Sequence, residues 1–164
     1  MSMFENNQYR WRETYFVLFH SGDRPKLDVV KKTLHRLDPQ YQLTNPSADH
    51  GLFDSLTLIS PDDFAAIDIC YTEGDEVREQ VKDLVEELRP IAGETDFDAQ
   101  LKQMANCDAR FDVLHFEEVS EAAGDADDDV LDEALDPSAL LLVMNELAKL
   151  TRGIAVDPQS GAMF

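Results

Sequence analysis

Apolar residues along the chain follow two different spacings, and each spacing indicates a different kind of element. Continuous apolar and aromatic runs at residues 14–20 and 110–116 are typical of strands that lie in the middle of a sheet. At residues 27–37 and 77–88 the apolar positions recur every three or four residues, which places them on one face of a helix. The chain is therefore predicted to combine buried strands with amphipathic helices.

Turn-forming residues separate further apolar runs in the first half of the chain. The segment 60–63, Ser-Pro-Asp-Asp, lies between apolar runs at 52–60 and 64–71, an arrangement that predicts an antiparallel hairpin. Residues 41–44 are a short strand candidate, and the turn formers at 45–51 predict a loop. Three strands are therefore predicted between the two amphipathic helices.

The C-terminal part of the chain predicts two more helices and a last strand. A shorter helix is predicted around residues 97–104. Asp136 and Pro137 begin another, because aspartate caps a helix start and proline fits its first turn. Gly153 follows this helix in the usual position for a left-handed residue, and Ile154–Val156 is a short strand candidate.

The predicted order of elements is β-α-β-β-β-α-α-β, then an acidic segment, then α-β. Helices that alternate with hairpin-connected strands are typical of the α+β class with a mostly antiparallel sheet. Residues 14–116 fit the ferredoxin-like β-α-β-β-α-β plan if the strand at 41–44 is an edge or is absent. The chain has 164 residues, the size of one domain. We predict a single domain over 1–164, closed by the C-terminal helix and short strand.

The chain carries a formal net charge of -20, and half of that charge lies in one segment. Residues 117–136 hold ten carboxylates and no Lys or Arg. Such a block favours a basic protein partner by long-range attraction, although like charges in a block are more often a solvated or flexible connector. The predicted partner-binding residues are Glu117, Glu118, Glu121, Asp125, Asp127, Asp128, Asp129, Asp132, Glu133 and Asp136.

The acidic segment does not predict a calcium site. Asp125, Asp127 and Asp129 alternate as in the helix-loop-helix calcium loop. However, Val130 stands where that loop needs glycine, and Asp136 stands where it needs a bidentate glutamate. The glycine-rich patterns that hold nucleotide phosphates do not occur in the sequence either. No metal and no cofactor are therefore predicted.

The acidity also limits the class of partner. A negative surface repels phosphate backbones and anionic membranes, so we expect neither direct nucleic-acid binding nor membrane binding. No apolar run approaches the roughly 20 residues of a membrane span, and the N-terminus lacks the features of a signal peptide. Cys70 and Cys107 form no C-x-x-C pair, which favours free thiols in a reducing, cytoplasmic compartment.

Four polar residues on the predicted strands are candidates for a catalytic group. His20 ends the first strand and His115 lies late in another, while Asp68 and Asp112 belong to strands of the same predicted sheet. Two histidines with carboxylates could bind a metal or perform acid–base chemistry. The alternative is that all four are surface-facing positions, because a slip of one residue in strand pairing turns a side chain to the opposite face.

Two other surfaces are simpler to interpret. The strand candidates at 41–44 and 154–156 could each be an exposed edge that pairs with a second copy, so a homodimer is a possible assembly. The first helix carries a small basic patch, which we interpret as a solvated face, formed by Lys31, Lys32, His35 and Arg36.

These patterns favour a non-enzymatic, acidic protein-interaction module or inhibitor that binds a basic protein partner. The first alternative is a small-ligand or metal-dependent enzyme with its site on the sheet face. The second is a structural protein of a salt-adapted organism, whose acidity keeps its surface hydrated and has no partner.

Overall fold

The computed structural model of the protein describes residues 9–61, 65–88, 95–118 and 138–157, and the fold is given for these ranges. The six strands are β1 (Tyr9–Phe19), β2 (Gln42–Asp49), β3 (Leu52–Ser60), β4 (Ala65–Glu73), β5 (Ala109–Glu118) and β6 (Ile154–Val156). The helices are α1 (Leu27–Leu37), α2 (Asp75–Leu88), α3 (Thr95–Ala105) and α4 (Ser138–Thr151), with a short 3-10 turn at Ser21–Asp23. Among these helices, none is both long and apolar enough to cross a membrane.

The strands form one sheet in the order β2-β3-β4-β5-β1-β6, and each neighbouring pair is antiparallel. This confirms the α+β class with an antiparallel sheet. The ferredoxin-like order is not confirmed. With β2 set aside as an edge, that plan would place β1 between β4 and β5, whereas here β5 lies between β4 and β1.

The pair of helices between β4 and β5 explains this difference. One crossover helix would return the chain to the far end of the sheet, but two successive helices bring it back to the end that it left. Glu73 at the end of β4 therefore pairs with Ala109 at the start of β5. The Gly74 N–H also donates to the Asp108 carbonyl at 3.1 Å. With both residues at one end, β5 pairs directly with β4 and runs antiparallel to it.

Helices cover both faces of the sheet. The first face carries α1 and α4, whose apolar stripes pack on strand residues such as Val17, Phe111 and Val113. The second face carries α2 and α3, which pack on Leu18 and on the last strand. Neighbouring residues of β1 alternate between the two clusters, as expected for a strand covered on both sides.

The predicted loop at 45–51 is mostly strand in the structure. Its turn is confined to His50 and Gly51, which both have positive φ, at 51° and 83°. This two-residue connection joins Asp49 to Leu52, and such a turn matches the twist of paired strands. Asn45 is absorbed in a bulge of β2 with a φ of 50°. The turn-forming residues were therefore a poor guide to the length of this loop.

Gly153 has a different role from the one that the sequence predicts. The left-handed residue after α4 is Arg152, with a φ of 55°. A Cβ on Gly153 would collide with the backbone carbonyl of Leu18, so glycine is needed there for the close approach of α4 to β1.

The strands β2 and β6 are the two edges of the sheet, as predicted. The β2 edge contains Pro46 and two irregularities of register, features that discourage pairing with another chain. A homodimer stays a prediction.

Candidate functional site

The four predicted catalytic candidates do not form one group in the structure. Asp68 and Asp112 lie on the neighbouring strands β4 and β5. Asp112 pairs directly with Cys70, which is two residues after Asp68 on β4, so both carboxylates face the same side of the sheet. His115 belongs to the opposite face of β5 and is 5% exposed. His20 lies beyond the end of β1. The sheet thus brings the two carboxylates together and separates them from both histidines.

The two carboxylates belong to a half-buried polar cluster on the second face. The Thr57 hydroxyl donates to Asp68 Oδ1 at 2.5 Å, and Arg110 Nε donates to Asp112 Oδ1 at 2.6 Å. Cys70 lies directly across the strand pair from Asp112. We call these residues the sheet-face cluster: Thr57, Asp68, Cys70, Arg110 and Asp112.

Burial sets the protonation of this cluster. It raises the pKa of Asp112, and the Arg110 guanidinium opposes that rise only in part. Burial, followed by the charges of Asp68 and Asp112, raises the pKa of the Cys70 thiol to about 11. The thiol is therefore protonated near neutral pH and is a poor nucleophile. The cluster can hold a proton or accept hydrogen bonds from a small polar ligand.

His20 helps to shape a turn. Its Nδ1 accepts a hydrogen bond from the Gly22 N–H at 3.0 Å. The adjacent Ser21 donates to Asp108 through its N–H at 2.7 Å and its hydroxyl at 2.8 Å. Burial alone would raise the pKa of Asp108, but these two hydrogen bonds and the nearby cations outweigh it and lower that pKa. The arrangement ties the turn after β1 to the start of β5.

His115 contacts a carboxylate from the neighbouring strand on the first face. Its Nδ1 lies 3.3 Å from Glu13 Oε1. Burial lowers the pKa of His115, while Glu13 opposes that change and Arg12 adds to it. The imidazole is therefore held in its neutral form at neutral pH. Its position suits a structural hydrogen bond in the sheet.

Glu117, the first residue of the acidic segment, is turned into the protein and is 4% exposed. Arg12 Nη1 donates to Glu117 Oε2 at 2.8 Å, and Arg10 Nε donates to Oε1 at 2.6 Å. A buried carboxylate needs such partners to offset its lost hydration. The sequence missed this pairing because the predicted strand begins at residue 14, whereas β1 begins at Tyr9 and so includes both arginines.

Among the other predicted partner-binding residues, the structure describes only Glu118. Glu118 ends β5, and its backbone pairs with Tyr9. Eight carboxylates lie outside the described residues: Glu121, Asp125, Asp127, Asp128, Asp129, Asp132, Glu133 and Asp136. Their role in partner binding stays a prediction.

The outer face of α2 is a second acidic surface, which the sequence prediction did not single out. Its buried stripe includes Val77, Val81 and Val85. Arg78 and Lys82 are exposed cations of the helix. Six carboxylates are also exposed on it, and we call them the α2 carboxylates: Asp75, Glu76, Glu79, Asp83, Glu86 and Glu87. The signal was present in the sequence, between the apolar positions of the helix.

A shallow groove lies between α2 and α3, beside this acidic surface. Its volume is about 350 Å³. Its apolar lining residues are Val81, Val85 and Ala105, of which Val81 and Val85 are only 2% and 6% exposed. The remaining lining residues are Arg78, Lys82 and Glu86. The groove therefore presents charges of both signs and little exposed apolar surface.

In the described part of the chain, no group of three or more His, Cys, Asp or Glu side chains is arranged to hold a metal ion. No protein-family model, curated protein or solved structure matches the chain. The chemistry of these surfaces is therefore the basis for inferring a function.

Proposed function

We propose that the protein is a non-enzymatic module that uses an acidic surface to bind, or to inhibit, a basic protein partner. The observation that carries this proposal is the outer face of α2, where six exposed carboxylates stand against two cations. The acidic segment at 117–136 extends the same chemistry, apart from Glu117, whose carboxylate is paired inside the fold.

The geometry of α2 supports binding because its charges are held by a docked helix. The apolar stripe fixes the helix on the sheet, so the carboxylates are presented without first being ordered. Arg78 is near two carboxylates, with Nη1 3.9 Å from Asp75 and Nη2 3.6 Å from Asp108. Its charge is thereby offset locally. A basic partner would meet a negative field that speeds its encounter and weakens with salt.

We also propose a reducing, cytoplasmic location. Cys70 and Cys107 are free thiols in the structure, and burial raises the pKa of each to about 11. Protonated, half-covered or buried thiols of this kind suit a compartment where disulfides do not form.

The proposal is tested by an affinity pull-down from cell lysate at low and at high salt. One variant neutralises α2 with Glu79→Gln, Asp83→Asn and Glu86→Gln. A matched control removes three exposed carboxylates elsewhere, with Asp23→Asn, Asp28→Asn and Asp49→Asn. We expect a basic protein to be retained by the wild type and the control, released by salt, and lost by the α2 variant.

Equal retention by the α2 variant and the control would show that overall charge, and not α2, attracts the partner. A third variant separates the contribution of the acidic segment. It neutralises the eight carboxylates from Glu121 to Asp136 and keeps Glu117, because that side chain supports the fold.

The second candidate function is a small-ligand site with enzymatic chemistry on the sheet face. It is favoured by the shared side of Asp68 and Asp112 and by the raised pKa of Asp112. A thermal-shift screen with small polar ligands tests it. A ligand that stabilises the wild type, but neither Asp68→Asn nor Asp112→Asn, would support this function. A shift that both variants retain would contradict it.

A further inference from the structure

We infer that the outer side of α1 and α4 is a second docking surface, and that its partner is an acidic protein segment with apolar side chains among its carboxylates. We call it the α1–α4 surface: Val29, Lys32, Arg36, Leu141 and Leu142. It covers the first face of the sheet, whereas the α2 carboxylates lie over the second. The inference therefore goes beyond the proposed function and does not depend on it.

Three large apolar side chains are exposed on these two helices. Val29 of α1 is 41% exposed, and Leu141 and Leu142 of α4 are 46% and 49% exposed. None of the three belongs to the core cluster of the first face, which the buried stripes of α1 and α4 already fill. Exposed apolar side chains that are grouped on one surface indicate an interaction site, whereas single scattered ones do not.

The cations of α1 have no counter-charge beside them. Lys32 and Arg36 are exposed and lie four residues apart, on the same side of the helix as Val29. Neither forms an ion pair with a residue in the described ranges, whereas each arginine of β1 and β5 pairs with a carboxylate. Asp28, in the first turn, is the only carboxylate of α1. The outer side of this helix is therefore available to a negative partner.

The topology brings the cations and the two leucines to the same end of the molecule. The helices α1 and α4 contact each other. α1 begins shortly after β1 ends, whereas α4 ends just before β6, which pairs with the end of β1. The two helices therefore run in opposite directions, and the start of α4, with Leu141 and Leu142, lies at the same end of the sheet as Arg36.

An acidic protein segment suits this surface better than a membrane or a nucleic acid. Charges farther apart than the Debye length, about 8 Å at physiological salt, are largely screened from each other. A short segment would therefore interact mainly with the cations of α1, while its apolar side chains cover Leu141 and Leu142. An anionic bilayer or a nucleic acid carries charge over a wide area, so it would also meet the repulsion of a protein with a net charge of -20.

The test uses two synthetic fluorescent peptides. The first contains leucines among glutamates, and in the second serines replace the leucines while the charge is unchanged. Fluorescence anisotropy with the full-length protein at low salt should show the leucine peptide binding at least about tenfold more tightly, because leucines can bury the exposed carbon surface of Leu141 and Leu142. Added salt should weaken the binding of both peptides.

A charge reversal locates the cationic part of the contact. Lys32→Glu combined with Arg36→Glu should weaken both peptides at least about tenfold, because two attractions become repulsions. The matched control is Lys82→Glu combined with Lys102→Glu, which makes the same change in net charge at exposed positions of α2 and α3. It should have a much smaller effect.

A second variant locates the apolar part. Leu141→Ser combined with Leu142→Ser should lower the affinity for the leucine peptide to that for the serine peptide, and should leave the serine peptide unchanged. Both leucines are about half exposed, so we expect the variant to keep its fold. Circular dichroism of each variant checks this.

Several results would overturn the inference. The first is equal binding of the two peptides, or no binding of either. The second is an equal loss of binding in the α1 variant and its matched control, which would show that net charge governs binding. Flotation with phosphatidylserine vesicles, if the α1 variant abolished it, would assign the surface to a membrane.

Two further results would assign the surface to this chain itself and also overturn the inference. One is a dimer in sedimentation that the α1 variant abolishes. The other is leucine-peptide binding only by the variant in which the eight carboxylates from Glu121 to Asp136 are neutralised. The proposed function is judged separately, by whether the α2 variant loses the basic partner in the pull-down. It stands or fails independently of these peptides.

Discussion

The two faces of the sheet differ in where their carboxylates lie and in the charge of the helices that cover them. On the first face, Glu117 is buried against Arg10 and Arg12, and the covering helix α1 has a formal charge of +2, from three Lys or Arg residues less Asp28. On the second face, α2 has a formal charge of -4, from six exposed carboxylates less two cations. Both helices bury an apolar stripe, so packing does not distinguish them. The apolar stripe therefore fixes each helix on the sheet, while the charge on the outward side can differ without affecting that packing.

The largest expected effect compares equivalent truncations in the two cores. Leu34 of α1 is fully buried on the first face, whereas Leu84 of α2 is 8% exposed on the second. We expect Leu34→Ala to cost about 3 kcal/mol and Leu84→Ala about 2 kcal/mol, because the looser site loses fewer contacts. Denaturant unfolding of both variants checks this. A larger loss from Leu84→Ala would show that the second face holds the fold together.

The next effect compares a paired carboxylate with an exposed one. Glu117→Gln keeps the shape of the side chain but removes the charge that holds Arg10 and Arg12. We expect a loss of about 2 kcal/mol in unfolding free energy, below the full cost of breaking a buried pair because Arg10 is more than half exposed. The control Glu79→Gln on α2 should change stability by less than about 0.5 kcal/mol. Similar values for the two variants would remove the distinction between the faces.

The pH dependence of stability should have opposite signs on the two faces. The pKa of His115 is lowered in the folded protein, so the unfolded chain binds more protons as the pH falls below about 6.5, and stability declines. The pKa of Asp112 is raised, so the folded protein binds more protons between that pKa and about 3.8, and stability increases on acidification. Unfolding free energies measured from pH 8 to pH 4 should therefore decline less steeply in His115→Gln. They should decline more steeply in Asp112→Asn.

The titration of Asp108 is separated in pH from that of His115. Asp108 has a lowered pKa, so its contribution is lost only as the pH falls below about 3.8, outside the range of the His115 effect. A profile for His115→Gln that is parallel to the wild type from pH 7 to pH 5 would show that His115 is not the group responsible.

The smallest expected effect concerns salt. Salt screens the repulsion among the α2 carboxylates, so we expect added salt to stabilise the protein. The gain should be less than about 1 kcal/mol because the charges are exposed. Neutralising Glu79, Asp83 and Glu86 should reduce that gain, whereas the matched control outside α2 should reduce it less. Thermal melts at several salt concentrations measure both. A strong salt gain without any basic partner in the pull-down would favour the salt-adapted structural alternative.

Local pattern was enough to predict most helices and strands. The apolar stripes of α1 and α2, and the continuous runs of β1 and β5, each depend on neighbouring residues in the chain, and their existence is confirmed. The order of strands depends on where two consecutive helices return the chain, which pattern alone does not show. The register that places Asp68 and Asp112 on one side, and His115 on the other, is likewise a property of pairing between distant segments.

The candidate surfaces were predictable only in part. The sequence points to carboxylates but does not say which are paired, so Glu117 and Glu118 looked alike although Glu117 is held by two arginines. The α2 carboxylates were visible as letters between apolar positions. Their grouping on one exposed side depends on how the helix docks on the sheet, which the sequence pattern alone does not show.

The route of the chain between β4 and β5 has a consequence for how this surface could change. Glu73 and Ala109 are paired neighbours, so residues 75–108 leave the sheet and return to it at adjacent positions. The segment is thus an insertion between two strands, β4 and β5, that already pair with each other where it begins and ends. Exchanging it for another pair of helices, provided that Leu18 and the last strand remain covered, would place a different outer surface on the same sheet. The acidic surface and the groove beside it therefore both belong to one insertion between β4 and β5.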